Sequence, residues 1–444
     1  MTKEISTTQL KNFKEQLESR KDHRVLTRTV SQNGIFASSR DQRADINSVP
    51  VFSIDLDTGK VTNQKQSGRC WMFAALNTMR HDLRARYDLA DDFELSQNYT
   101  FFWDKLEKAN YFYENILKTA LFPTSDRKVA WLLATPQQDG GQWDMIMGLI
   151  EKYGVVPKTA MPETYNSSAS SEFNATLNLK LRKDAVTLRE LVQNKASEEE
   201  IAAKKEKMLA EVYRMAAYSF GEPPTTFDFE YRDKDNNYHL DQGLTPKSFF
   251  DKYLGWHTSD YVSVINGPTA DKPYDHLYTV DMLGNVVGGR EVRHLNVDMD
   301  TFKRLAVKQL EAGESVWFGC DVGKSSDRKK GIMDLEVYHR DQLFDVDLSM
   351  SKAERLDYSQ SLMTHAMVLT GVDIVAGETK KWKVENSWGE KVGTKGFFVM
   401  SDAWMDEYCY QIVVNKKFLP EHLQAVLKEE PKVLAPWDPM GSLA

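Results

Sequence analysis

Cys70 lies in the segment QKQSGRCWMFA (64–74), between an arginine and a tryptophan, with Gln64 upstream and an apolar run behind it. A thiol becomes a strong nucleophile once it is a thiolate. A helix N-terminus or a nearby imidazolium lowers a cysteine pKa from about 8.5 to as little as ~3.5. The helical pattern begins at Cys70, so its sulfur is expected at the positive end of the helix dipole. Such a nucleophile needs a base, a group to orient that base, and donors for an oxyanion. Among the nine histidines, His365 opens an apolar strand and is followed 21 positions later by Asn386, in VENSWG (384–389). Two adjacent antiparallel strands would set these side chains together. Asn386 then holds one ring nitrogen, the other faces the sulfur, and Trp388 covers the bond. Gln64, in the turn before the helix, would aim its amide at the oxyanion beside the Cys70 N–H. Arg69 reads as a surface or structural cation. Each residue alone also suits an ordinary core, and cysteine is among the most buried residue types. Their conjunction, in this order, points to a thiol hydrolase.

The elements that must position this set follow from periodicity. VFSIDLDTG (51–59) alternates like a short strand and ends in a turn. Met72, Leu76, Met79 and Leu83 recur at helical spacing, which predicts a helix with one buried face from Cys70. Residues 91–117 read as an aromatic-rich helix. DGGQW, near 140, is a glycine turn before a short helix that ends near Gly154. Residues 171–217 predict a charged helical hairpin with Leu177, Leu181, Leu188 and Leu191 in one stripe. A capping box of Ser197 and Glu200 opens its second helix. This hairpin reads either as a solvated surface insertion or as a docking element between subunits. Further on, MDTFKRLAVKQLEAGESVWFGCDV reads as helix, turn and strand. Segments 365–375, 380–389, 396–401 and 410–415 read as strands at hairpin-like spacing. Three prolines in PKVLAPWDPMGSLA favour an extended tail.

A chain of 444 residues with 41% hydrophobic and 27% charged residues is globular in composition. Its net charge of −8 speaks against a general attraction to nucleic acid or anionic membranes. No apolar run approaches the roughly 18 residues of a membrane helix. The N-terminus has no signal-peptide core; Leu10, Phe13 and Leu17 predict an amphipathic helix there. Cys70, Cys320 and Cys409 are too scattered for a disulfide framework and form no CxxC pair for zinc. A reducing, cytoplasmic location is the expectation. Neither HExxH nor a P-loop nor a GxGxxG turn occurs, so no metal or cofactor is expected.

QKQSGRCWMFA, DGGQW, HAMVLTGVD and VENSWGEKVGTKGFFVM resemble the four signature segments of papain-like cysteine peptidases. The GRCW form of the cysteine motif, the long insertion and the proline-containing tail resemble the bleomycin hydrolase and aminopeptidase C family, its bacterial aminopeptidase C branch above all. The likeness covers essentially the whole chain. It implies an α+β fold: a two-lobed core of a helical lobe and an antiparallel β-barrel lobe, with a large helical insertion and a C-terminal arm. The corresponding boundaries are 1–165 for the N-terminal segment and helical lobe, 166–260 for the insertion, 261–430 for the barrel lobe and 431–444 for the arm. By position, the resemblance makes Cys70 the nucleophile, His365 the general acid and base, Asn386 the orienting residue and Gln64 an oxyanion donor. Gly140 and Gly141 match a glycine pair whose backbone binds substrate as an added strand, and Trp388 stands with the substrate-binding residues. Secreted relatives carry a disulfide-bonded cysteine at the place of Ser67, a departure that agrees with the cytoplasmic expectation.

The implied function is a broad-specificity cysteine aminopeptidase working through an acyl-enzyme on peptides with a free N-terminus. The implied assembly is a homohexamer enclosing its active sites. In it the arm fills the cleft, and the α-carboxylate of Ala444 faces the substrate's α-ammonium. The competing readings are an endopeptidase with an open cleft and a non-catalytic scaffold or nucleic-acid-binding hexamer. Nucleic acid and membrane are not expected partners.

Overall fold

The central helix, Cys70–Tyr87, is buried on every side from Cys70 to Arg80 and opens to solvent only from His81 onward. A helix that is enclosed all round belongs between layers, so the expected single buried face describes only its last turns. The computed structural model, which describes residues 4–442, places this helix between a helical layer and a large sheet.

The helical layer is built by Gln97–Lys118, Trp143–Tyr153 and the hairpin of Ser171–Gln193 and Glu198–Phe220. Residues 91–96 precede the first of these; Ser96 is its N-cap and accepts from the Tyr99 N–H. Leu177, Leu181 and Leu188 are fully buried. Phe220 closes the hairpin onto Phe173 and Phe101, at ring distances of 4.5 and 5.1 Å. The hairpin's inner face is thus part of the main core. Ser197 caps its second helix through the Glu200 N–H, but the Glu200 side chain returns no bond, so the predicted capping box is half formed. The Thr7–Ser19 helix forms as expected, without burying any residue.

Beyond residue 260 the strands fall close to the predicted segments, at Val316–Cys320, His365–Val375, Glu378–Glu385, Phe397–Ser401 and Cys409–Asn415. They join one 12-stranded sheet, which counts Ile54–Asp55, the short remnant of the strand expected over 51–59, paired to its middle. Among the described residues the strand order is an open path and does not close into a barrel. It ends in very short strands, Lys432–Leu434 on one side and Ser326–Asp327 on the other. The pairings are antiparallel at the centre and parallel at three joints towards the ends. Alternation splits the His365–Val375 strand between two cores. Ala366 and Val368 face the core that contains Cys70, while Met367 and Leu369 join the one that holds Phe302 and Leu305 of helix Met299–Glu311. No helix among the described residues is long and apolar enough to cross a membrane.

His294 is fully buried in this sheet, with Nδ1 2.8 Å from the Ser263 hydroxyl. Burial pushes its imidazole down to about 4, and that of His365 likewise. Each ring is held neutral in the folded chain, while the unfolded chain protonates it near pH 6.5. The stabilising contribution is complete above that value and is lost as pH falls towards 4. Between pH 7.5 and 5 each should cost about 2 kcal/mol of unfolding free energy. Urea unfolding across that range is expected to show the loss, and His294→Gln to flatten the slope by about one proton. An equal slope in the variant would contradict the assignment.

Candidate active site

The turn before the central helix is held from two sides. The Asp139 carboxylate accepts from the Gly68 N–H at 2.9 Å, from Lys105 Nζ at 2.8 Å and from Asn174 Nδ2 at 2.7 Å. Against its burial, Lys105 and these donors keep the Asp139 carboxyl well below the usual carboxylate range. Arg69 is fully buried, donates to both Glu163 oxygens at 3.1 and 2.8 Å and to Ser67 Oγ at 2.9 Å, and lies over the rings of Phe73 and Phe101. It is a structural cation beneath the cysteine turn. Ser67 serves that clamp as a hydrogen-bond acceptor.

Cys70 is the first residue of the helix and only 2% exposed. Its sulfur lies beside the backbone N–H groups of Ala366 and Trp71, both of which favour the thiolate. Ala366 directly follows His365, so Cys70 lies where the helix start touches the beginning of the His365–Val375 strand. His365 Nε2 is 2.9 Å from Asn386 Oδ1. The same oxygen accepts from the Ser387 N–H at 2.8 Å, which fixes the amide's orientation and places the imidazole proton on Nε2. Nδ1 then carries no proton and can accept one. Trp388 packs over His365 at 4.8 Å between ring centroids, and Phe398 backs it edge-on. This is the cover expected from sequence.

Burial pushes the Cys70 thiol up to about 11 and the His365 imidazole down to about 4; the nearby charge of Arg328 adds to the latter. Either charge alone is disfavoured in this dry place. A transfer of the thiol proton to Nδ1 would create both charges at once with no net change, and Asn386 and the helix terminus would stabilise the two ends.

Gln64 is more committed than the sequence suggested. Its Nε2 donates to the Ser67 carbonyl and its Oε1 accepts from Ser387 Oγ, each at 2.6 Å, while its backbone N–H donates to the Ser387 carbonyl. One amide hydrogen remains for an oxyanion. The clamp also ties the cysteine turn to the residue after Asn386. Gly141 needs its missing Cβ for a different reason from the expected one: a Cβ there would come within 2.6 Å of the Trp71 ring, so the close approach is to this indole. The Gly140 carbonyl accepts from Lys108 Nζ at 2.7 Å and is turned inward.

Three features escaped the sequence. Glu385, adjacent to Asn386, is buried against Arg80 at 2.8 Å and His81 at 2.9 Å, both on the Cys70 helix. Arg328 lies over the Trp388 ring at 4.0 Å. The third is Gln142, which donates to the Ser442 carbonyl at 2.6 Å. That bond brings the tail to the residue after the glycine pair. The tail is anchored on the way by Lys432–Leu434 pairing with His276–Val280, by a Lys272–Asp438 ion pair at 2.9 Å and by buried Met440. Leu443 and Ala444 lie outside the described residues, and with them the role expected of Ala444.

The peptidase C1-like family matches residues 4–441. Aminopeptidase C of Lactobacillus delbrueckii subsp. lactis is 55% identical over 447 residues, covering 100% of this chain and 99% of that protein. Aminopeptidase C of Listeria monocytogenes is 52% identical over 444 residues, covering 100% of both. The crystal structure of PepW from Lactobacillus rhamnosis superposes with a TM-score of 0.99 at 66% identity, covering 100% of each chain.

Proposed function

The chain belongs to the peptidase C1-like family, and from that premise we propose that it is a cysteine aminopeptidase with Cys70, His365 and Asn386 as its reacting set. The thiolate attacks the carbonyl carbon after the substrate's first residue. His365 then passes the proton taken from sulfur to the leaving amine. The resulting thioester is cleaved by water that His365 deprotonates, which returns the thiol. Gln64 and the Cys70 N–H donate to the oxyanion of each tetrahedral intermediate.

The observation that carries the exopeptidase reading is the bond from Gln142 to Ser442, which fastens the tail beside Gly141. Two residues further on, the α-carboxylate of Ala444 would face the α-ammonium of a bound peptide and leave no room for residues upstream. The full-length likeness to proteins named aminopeptidase C supports the same choice. Assembly into a hexamer, in the cytoplasm, is part of this proposal; the large exposed apolar side chains of the N-terminal helices, Leu10, Phe13 and Leu17 among them, suit contact with other copies.

The test uses one dipeptide amide with a free N-terminus and its N-acetylated form, each with and without prior iodoacetamide. The free form should be hydrolysed, the acetylated form should not, and alkylation should abolish turnover. Cleavage of the acetylated form by the intact chain would favour an open-cleft endopeptidase, and turnover that survives alkylation would remove the thiol mechanism.

A further inference from the structure

Outside the reacting set, one feature faces the site without serving the steps above. Arg328 is exposed and lies over the ring of Trp388, which also packs against His365. Its loop meets the loop that follows Trp388, with the Gly393 N–H donating to the Lys329 carbonyl at 3.1 Å and Gly331 packed directly on Gly393. These two loops carry Arg328, Lys329, Lys391 and Lys395, all exposed. None of the four makes an ion pair among the described residues. Their acidic neighbour Asp327 is taken by Arg40 at 3.0 Å, which leaves Glu390 as the exposed carboxylate of the second loop. In a chain of net charge −8, four uncommitted cations on one rim form a local reversal of sign.

The position of this rim decides what it meets. The acyl half of a substrate lies between Cys70 and the tail held at Gln142. The leaving half must depart past the group that protonates it, which is His365, and so across Trp388. We propose that the Arg328 rim is the leaving-group subsite and that it selects leaving peptides bearing a carboxylate close to the new amine. Such a carboxylate is the free C-terminus of a dipeptide or tripeptide, or an acidic side chain next to the cleaved bond. Stacking on Trp388 fixes the guanidinium plane and leaves its N–H edge free for an oxygen pair. The charges are solvated, so the selection is modest and sensitive to salt.

This inference rests on the aminopeptidase reading, and the test separates the two. The readout is the quotient of kcat/KM for a dipeptide with a free C-terminal carboxylate over that for its amide. A general change in activity cancels in that quotient. It should exceed one at low ionic strength, decline with added salt, and fall roughly threefold to tenfold in Arg328→Gln. Arg328→Glu should bring it below one. Hydrolysis of both substrates with a quotient unchanged by these substitutions would overturn the subsite alone. Hydrolysis of neither by the unmodified protein would overturn the aminopeptidase reading and the subsite with it.

Discussion

Replacing Cys70 by alanine should lower kcat/KM for a free dipeptide amide by at least about 10⁴-fold, because no other group can form the acyl-enzyme. The fold should survive. Cys70 is almost fully buried and the exchange removes one sulfur from a site already lined by backbone donors, so the expected loss of stability is about 1–2 kcal/mol. The three cysteines make the assignment separable by labelling. Cys320 and Cys409 are both fully buried, and burial raises each thiol far above the range of a reactive thiolate. Cys70 is also buried but differs in standing at a helix N-terminus, with the Ala366 and Trp71 N–H groups beside its sulfur. Iodoacetamide should therefore modify the unmutated chain once, at Cys70, and the alanine variant not at all. Turnover retained in a folded alanine variant would remove Cys70 from the mechanism, and single labelling that persists in it would place the reactive thiol elsewhere.

The parts of this site that were legible in the sequence are those fixed by local periodicity. A helix that starts at Cys70 and a strand that starts at His365 are stated by their pattern in the chain, whereas the strand expected over 380–389 ends at Glu385 and leaves Asn386 just beyond it. The burial of Arg69 was not legible, because an arginine in a turn has no local signature of its carboxylate. Glu163 lies far along the chain, and only the packed structure brings it under the turn. The same holds for Gln64, whose two partners belong to its own turn and to the strand end beyond Asn386. The barrel implied by the resemblance meets an open strand path among the described residues, since strand spacing shows that strands pair but not whether the last meets the first. The two-residue edge strands carry too little pattern to be seen at all. Gly141 shows the reverse case. The need for glycine was evident, while the atom that occupies the space was not.

One long-range link bears on how the two halves stay in register. Arg80 and His81 lie three turns along the helix from Cys70, and both hold Glu385, the residue before Asn386. Helix and strand are thereby tied at one end by this buried charge cluster. At the other end they are tied by Gln64 to Ser387. A buried carboxylate so paired is costly to disturb from either side, since removal of one partner strands the other charge. The distance between Cys70 and Asn386 is thus set by a pair of fixed ties, and the loops around them are free to carry specificity.

The tail is the element whose removal should change selectivity most. Deleting Leu443 and Ala444 leaves Ser442 on Gln142 and the Lys272–Asp438 pair intact, so the arm keeps its course and loses only its end. On the proposed reading, the deletion takes away the Ala444 carboxylate that pairs with the substrate's α-ammonium. Two opposite charges about 4 Å apart are worth about 4 kcal/mol at an effective dielectric of 20, before desolvation is subtracted. A net effect of tenfold to a hundredfold on kcat/KM for free N-termini is therefore expected. Space upstream of the first residue should open at the same time, so N-acetylated peptides become substrates. The ratio of free to acetylated hydrolysis should fall by more than either rate alone changes. Deletion from Asp438 onward should go further and lower the melting temperature, because it also removes buried Met440 and leaves Lys272 with Asp271 as its remaining partner. An unchanged free-to-acetylated ratio after the two-residue deletion would mean that exopeptidase selection is made elsewhere in the cleft, and the bond from Gln142 would then be an anchor for a tail without a catalytic task.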